Sequence, residues 1–148
     1  MQPNQTTLFK LGYLGLLPFF GGVALVVTDN TLFDLTGYQI FTTYSAIILS
    51  FLSGVLWGAA IEPLTHPFSR KALIFSNVFA LMAWAALLLG RQQHILTTLL
   101  LIVGFLSVWF AEKQIRNIQP QDMLSGYQTL RNRLTAGVVI MHVIVLFL

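Results

Sequence analysis

A chain of 148 residues that is 56% hydrophobic and only 9% charged, with a mean hydropathy of +0.77, is too apolar for a soluble domain of its size and belongs in a membrane. Its net charge of +3 would invite an acidic partner in a soluble protein, but the basic residues lie between apolar segments, where they act as topology signals, and nucleic acid is not an expected partner. Cysteine is absent, which excludes disulfides, thiolate metal sites, thioether haem attachment and a cysteine nucleophile.

A helix needs roughly 20 residues to cross about 30 Å of hydrocarbon. Five segments qualify, at about 8–27, 40–61, 72–89, 95–111 and 130–148, and they predict an all-α integral membrane protein, a single domain built as a bundle of five transmembrane helices. The first is read as a retained anchor, because its apolar part outruns a signal-peptide core and Thr28, Asp29 and Asn30 make a poor cleavage site. Gly12, Gly15, Gly21 and Gly22 in it are expected to let the second helix approach closely. Pro18 is expected to kink it, leaving a carbonyl near Tyr13 or Leu14 in need of a partner.

After a short loop at 28–38 comes the most patterned segment of the chain. Ala46, Ser50, Gly54 and Gly58 recur every four residues, and Glu62 continues the series. Such a stripe lies on one helix face and allows close packing of another helix in lipid. The glycine-rich first span is the default internal partner, and a second protein is the alternative. Trp57, Trp84 and Trp109, near span ends, suit interfacial anchoring. Glu62 with His66 four positions on could relay a proton, or pair with nearby basic residues, but two ligands make an incomplete metal site.

In the third span, Asn77, like Ser50 and Ser53 before it, is expected to hydrogen-bond between helices. The five residues 90–94 make a tight hairpin into the fourth span. The connection at 112–133 is the longest, divided by Pro120; its second part, 122–133, is helix-compatible and amphipathic and is expected to lie along the cytoplasmic interface. His142 falls well inside the last span, on a face shared with Thr135 and Val138. It reads as a functional suspect by location, or as a neutral imidazole bonded to a neighbouring helix or set near the external interface.

Seven of the eight Lys and Arg residues fall on one side of this topology: Lys10, Arg70, Lys71, Lys113, Arg116, Arg131 and Arg133, against Arg91 on the other. The positive-inside rule therefore predicts a cytoplasmic N-terminus and a periplasmic C-terminus. Arg131 and Arg133 join Glu62, His66, Asn77 and His142 as the polar candidates.

Three stretches, LGYLGLLPFFGG at 11–22, YSAIILSFLSGVLWGAA at 44–60 and YQTLRNRLT at 127–135, resemble the domain of unknown function 3429 family of transmembrane protein 69-like small membrane proteins. The resemblance runs end to end and implies a five-helix protein of bacterial inner membranes or mitochondria. It brings no established activity, so no catalytic residue is carried over. The opening MQPNQTTLFK lacks the Arg-rich character of a mitochondrial presequence, and the expected location is the bacterial inner membrane.

No nucleophile with a base, no metal triad and no phosphate loop is recognisable, so an enzyme is not expected and neither is a cofactor. The expected function is a non-catalytic accessory, assembly or stabilising subunit of a larger inner-membrane complex, with a respiratory complex favoured and with membrane lipids as its other partners. The alternative is a small oligomeric transporter or channel using the scattered polar groups.

Overall fold

The structure, a computed structural model, describes residues 3–61, 67–118 and 126–148. Among the described residues, five helical spans are long and apolar enough to cross a membrane, and the protein is a multi-pass all-α membrane protein. The first span is divided into α1 (Pro3–Leu14) and α2 (Leu17–Thr28); the others are α3 (Gly37–Ile61), α4 (Pro67–Leu89), α5 (His94–Ile118) and α6 (Tyr127–Phe147).

The break in the first span lies at Gly15 and Leu16, just ahead of Pro18 in the first turn of α2. Proline there has no N–H to lend to the helix ladder. The chain bridges the gap with a tightened bond from Leu16 N to Tyr13 O at 3.1 Å, and the Tyr44 hydroxyl of α3 donates to Gly15 O at 2.8 Å. The Tyr44 hydroxyl thus supplies the Gly15 carbonyl, next to Leu14, whose own i+4 position is Pro18. Tyr44→Phe is expected to lower stability by about 1 kcal/mol, the scale of one such bond. Thermal unfolding in detergent measures it.

Between α2 and α3 the loop closes as a small β-hairpin, β1 (Thr31–Leu32) and β2 (Leu35–Thr36), with Thr31 facing Thr36 and Leu32 facing Leu35. Phe33 and Asp34 turn it with φ of 52° and 62°, the left-handed pair a two-residue hairpin demands.

α3 is the central helix, packed against α2, α4 and α5, while α5 also contacts α6. Its buried face carries Phe41, Ser45, Leu49, Leu56 and Ala60. α4 answers with Ser69, Ala72, Ser76, Ala83 and Ala86, buried and spaced by helical turns around the single large side chain Phe79, so that mostly small side chains on α4 permit the approach of α3. Along α5 the buried stripe Leu101, Phe105, Val108, Ala111, Glu112 and Ile115 keeps helical period past the expected end of the span at residue 111. α5 therefore continues to Ile118. At the other side of the long connection, residues 127–133 are the first turns of α6, with Leu130 and Arg131 buried, so this stretch runs straight into the last span and packs on the bundle where an interfacial position was expected. The part of that expected helix at 122–125 lies outside the described residues.

Candidate functional site

Glu112 gathers the strongest polar constellation among the described residues. It is 2% exposed, on the core face of α5. Its Oε1 accepts from Arg116 Nη2 at 3.0 Å and Nε at 3.2 Å, one turn along the same helix, and from the Tyr127 hydroxyl at 3.0 Å. Its Oε2 accepts from Arg131 Nε at 3.1 Å. Arg131 Nη2 also stands 3.0 Å from Oε2, in ion-pair contact but without the alignment of a hydrogen bond. The Arg116 guanidinium lies 4.2 Å from the Tyr127 ring centroid, and Trp109 Nε1 donates to Asn132 Oδ1 at 2.8 Å, a second clamp between α5 and α6. Two guanidiniums share one carboxylate, so the cluster keeps one positive charge in a water-poor setting.

Beside this cluster, a largely apolar cavity of about 160 Å³ opens between the broken first span, α3, α5 and α6, with Arg131, Thr135 and Val138 on its α6 wall. One turn beyond Val138, His142 is fully buried and boxed by phenylalanines, with ring centroids 4.6 Å from Phe41, 5.3 Å from Phe105 and 5.9 Å from Phe19. Its Nδ1 is 2.7 Å from Val138 O. A carbonyl only accepts, so Nδ1 carries the proton, and Nε2 is left without a hydrogen-bond partner. The bond runs within α6, and the ring sits in the core, where a neighbouring helix or the external interface was expected.

The remaining candidates divide. Asn77 Nδ2 donates to Leu73 O at 2.9 Å and Ser53 Oγ to Leu49 O at 2.8 Å, both to their own helices, so neither links helices as expected. Arg133 Nη1 reaches the Tyr13 hydroxyl at 3.4 Å. Glu62 and His66 lie outside the described residues. Among the described residues, no three His, Asp or Glu side chains come together to hold a metal.

The stripe on α3 does not face the first span. Ala46 is buried, but Ser50, Gly54, Trp57 and Gly58 are exposed, and a Cβ placed on Gly54 or Gly58 meets nothing within 4 Å. Of the first-span glycines, Gly22 does pack tightly on α3, where an added Cβ would stand 2.9 Å from Phe41 Cβ, whereas Gly12 faces Leu130 and Leu134 of α6 and Gly21 faces open space.

Residues 4–147 match the family model described as Protein of unknown function (DUF3429). The chain belongs to this family. The DUF3429 protein is also 36% identical over 96 residues to Transmembrane protein 69 of Xenopus tropicalis, a match that takes in 64% of this chain and 37% of that relative. The chain thus spans little more than a third of the curated relative it matches. No solved structure matches it.

Glu112, Arg116 and Tyr127 are the site residues that sequence reasoning missed, because Glu112 was assigned to a loop. The usable signal was helical: Glu112 continues the core stripe of α5, and an acid on such a face calls for a basic partner.

Proposed function

We propose that this protein is a non-catalytic accessory subunit, stabilising or assisting assembly of a larger complex of the bacterial inner membrane, and that it docks on a transmembrane helix of that complex through the outer face of α3. The carrying observation is the exposure of Ser50, Gly54 and Gly58 in a row with no neighbour over the glycines. In lipid such a groove gains packing only when another helix fills it. Ile47, Phe51 and Trp57 stand exposed around it and supply the walls. A respiratory complex is the favoured host, since the sequence resemblance is to proteins of bacterial inner membranes and mitochondria. The end of the bundle bearing Lys10, Arg70, Lys71, Lys113, Arg116, Arg131 and Arg133 is placed in the cytoplasm by the positive-inside rule, with the N-terminus there and the C-terminus in the periplasm.

The test is native purification in mild detergent after cross-linking. The wild type is expected to co-purify with a larger complex, and Gly54→Leu or Gly58→Leu to abolish that association while melting close to the wild type, because a Cβ at either exposed position meets nothing within 4 Å. Recovery of the wild type only as a free monomer or homodimer overturns the proposal, as does an unchanged complex with both leucine variants.

A further inference from the structure

We propose that the cavity between the broken first span and α6 is a binding site for an anionic phospholipid, whose phosphate pairs with Arg131 and whose acyl chain lies along the apolar walls. This site adjoins the outer face of α3 at Phe51 but does not rest on the accessory reading.

Three observations carry it. The first is charge: among the described residues Arg131 and Arg116 share the single carboxylate of Glu112, and Arg131, 7% exposed, lines the cavity while its Nε and Nη2 are turned to Glu112 Oε2. A buried cation in excess of its counter-charge is costly, and a phosphate at the Arg131 end of the cavity supplies the missing charge. Second, the site has the shape of an amphiphile. From Arg131 the α6 wall runs through Thr135 to Val138, roughly 10 Å at the helical rise, and the walls opposite are Leu16, Phe19, Leu52 and Phe105. One end is therefore cationic and the remainder apolar. Third, the mouth faces outward: Leu11 and Phe51, which flank it, are 63% and 66% exposed. A chain can enter from the bilayer without opening the core. Basic pockets between transmembrane helices at the positive side are a recurrent setting for lipid headgroups.

The experiment is native mass spectrometry of the full-length protein, delipidated in detergent and then titrated with phosphatidylglycerol or phosphatidylcholine of identical chains. The wild type is expected to retain phosphatidylglycerol about tenfold better, a difference one charge-assisted contact can supply. Arg131→Gln should bring the two lipids to parity. Since that change also strips Glu112 of a partner, Leu52→Phe provides an independent arm: it leaves the ion cluster untouched, fills the chain groove and should reduce retention of both lipids. Equal retention of the two lipids by the wild type overturns the proposal, and so does phosphatidylglycerol retention by Leu52→Phe that matches the wild type. Displacement of the lipid by inorganic phosphate alone would show a headgroup-only anion site and overturn the placement of the chain.

Discussion

Glu112→Leu is expected to cost about 3–5 kcal/mol of stability, the largest loss from any single side chain outside the backbone contacts, because it strands a buried guanidinium without its counter-charge. Arg131 Nε donates to Glu112 Oε2 and Nη2 makes an ion-pair contact with the same oxygen, and among the described residues no other acceptor pairs with Nη2. Arg116 suffers less, since its side chain is 21% exposed and can turn to the headgroup layer. The pair Glu112→Leu with Arg131→Met should therefore recover most of the loss, as replacement of a whole buried ion pair by apolar groups of similar volume commonly does. Thermal unfolding of the three variants in one detergent, read by the loss of the monodisperse peak, separates the outcomes. Wild-type melting of Glu112→Leu would mean that water or headgroups already solvate Arg131.

The five spans were legible because hydropathy integrates over some twenty residues and tolerates errors at either end. Their ends were not, and the site lies at an end. Glu112 lowers the local hydropathy just where Ala111 closes the apolar run, so the fourth span was cut one residue before the carboxylate that ties it to α6. The burial of Glu112 depends on Arg131, 19 positions on and across a connection, and a window sliding along one segment cannot register such a pairing. Tyr127 likewise precedes the apolar run that opens the last span at 130, although it is the first residue of α6.

The stripe on α3 was legible as a pattern but not as a direction. Both faces of α3 carry small residues, Ser45, Ser53 and Ala60 inward and Ser50, Gly54 and Gly58 outward. What chose between them was the partner. α4 presents small residues of its own beside Phe79, Leu49 of α3 packs over Gly104 of α5, and α2 reaches α3 through Gly22 on Phe41 and through Tyr44 on Gly15. His142 illustrates the same limit. Its position in the span was evident, but the three phenylalanine rings around it come from three other helices.

The second large effect concerns glycine where no pattern marks it. Gly37 opens α3 against the end of α2, and a Cβ there would stand 2.5 Å from Val26 N and 2.6 Å from Leu25 C. Both neighbours are backbone, and they cannot rotate aside. Gly37→Ala should thus exceed the usual 1–3 kcal/mol of overpacking, separating α2 from α3 at the hairpin. Gly104→Ala is the informative contrast. Its Cβ would lie 2.6 Å from Leu49 Cδ2, the far end of a side chain that has other rotamers, and about 1 kcal/mol should suffice. At Gly54, where nothing stands within 4 Å, alanine should be neutral or slightly stabilising, since glycine inside a helix costs about 0.5–1 kcal/mol relative to alanine. The expected order of melting temperatures is Gly54→Ala at or above the wild type, then Gly104→Ala, then Gly37→Ala. A Gly37→Ala protein that melts with Gly54→Ala would require α2 to slide along α3, and it would remove the contact that sets the first span against the rest of the bundle.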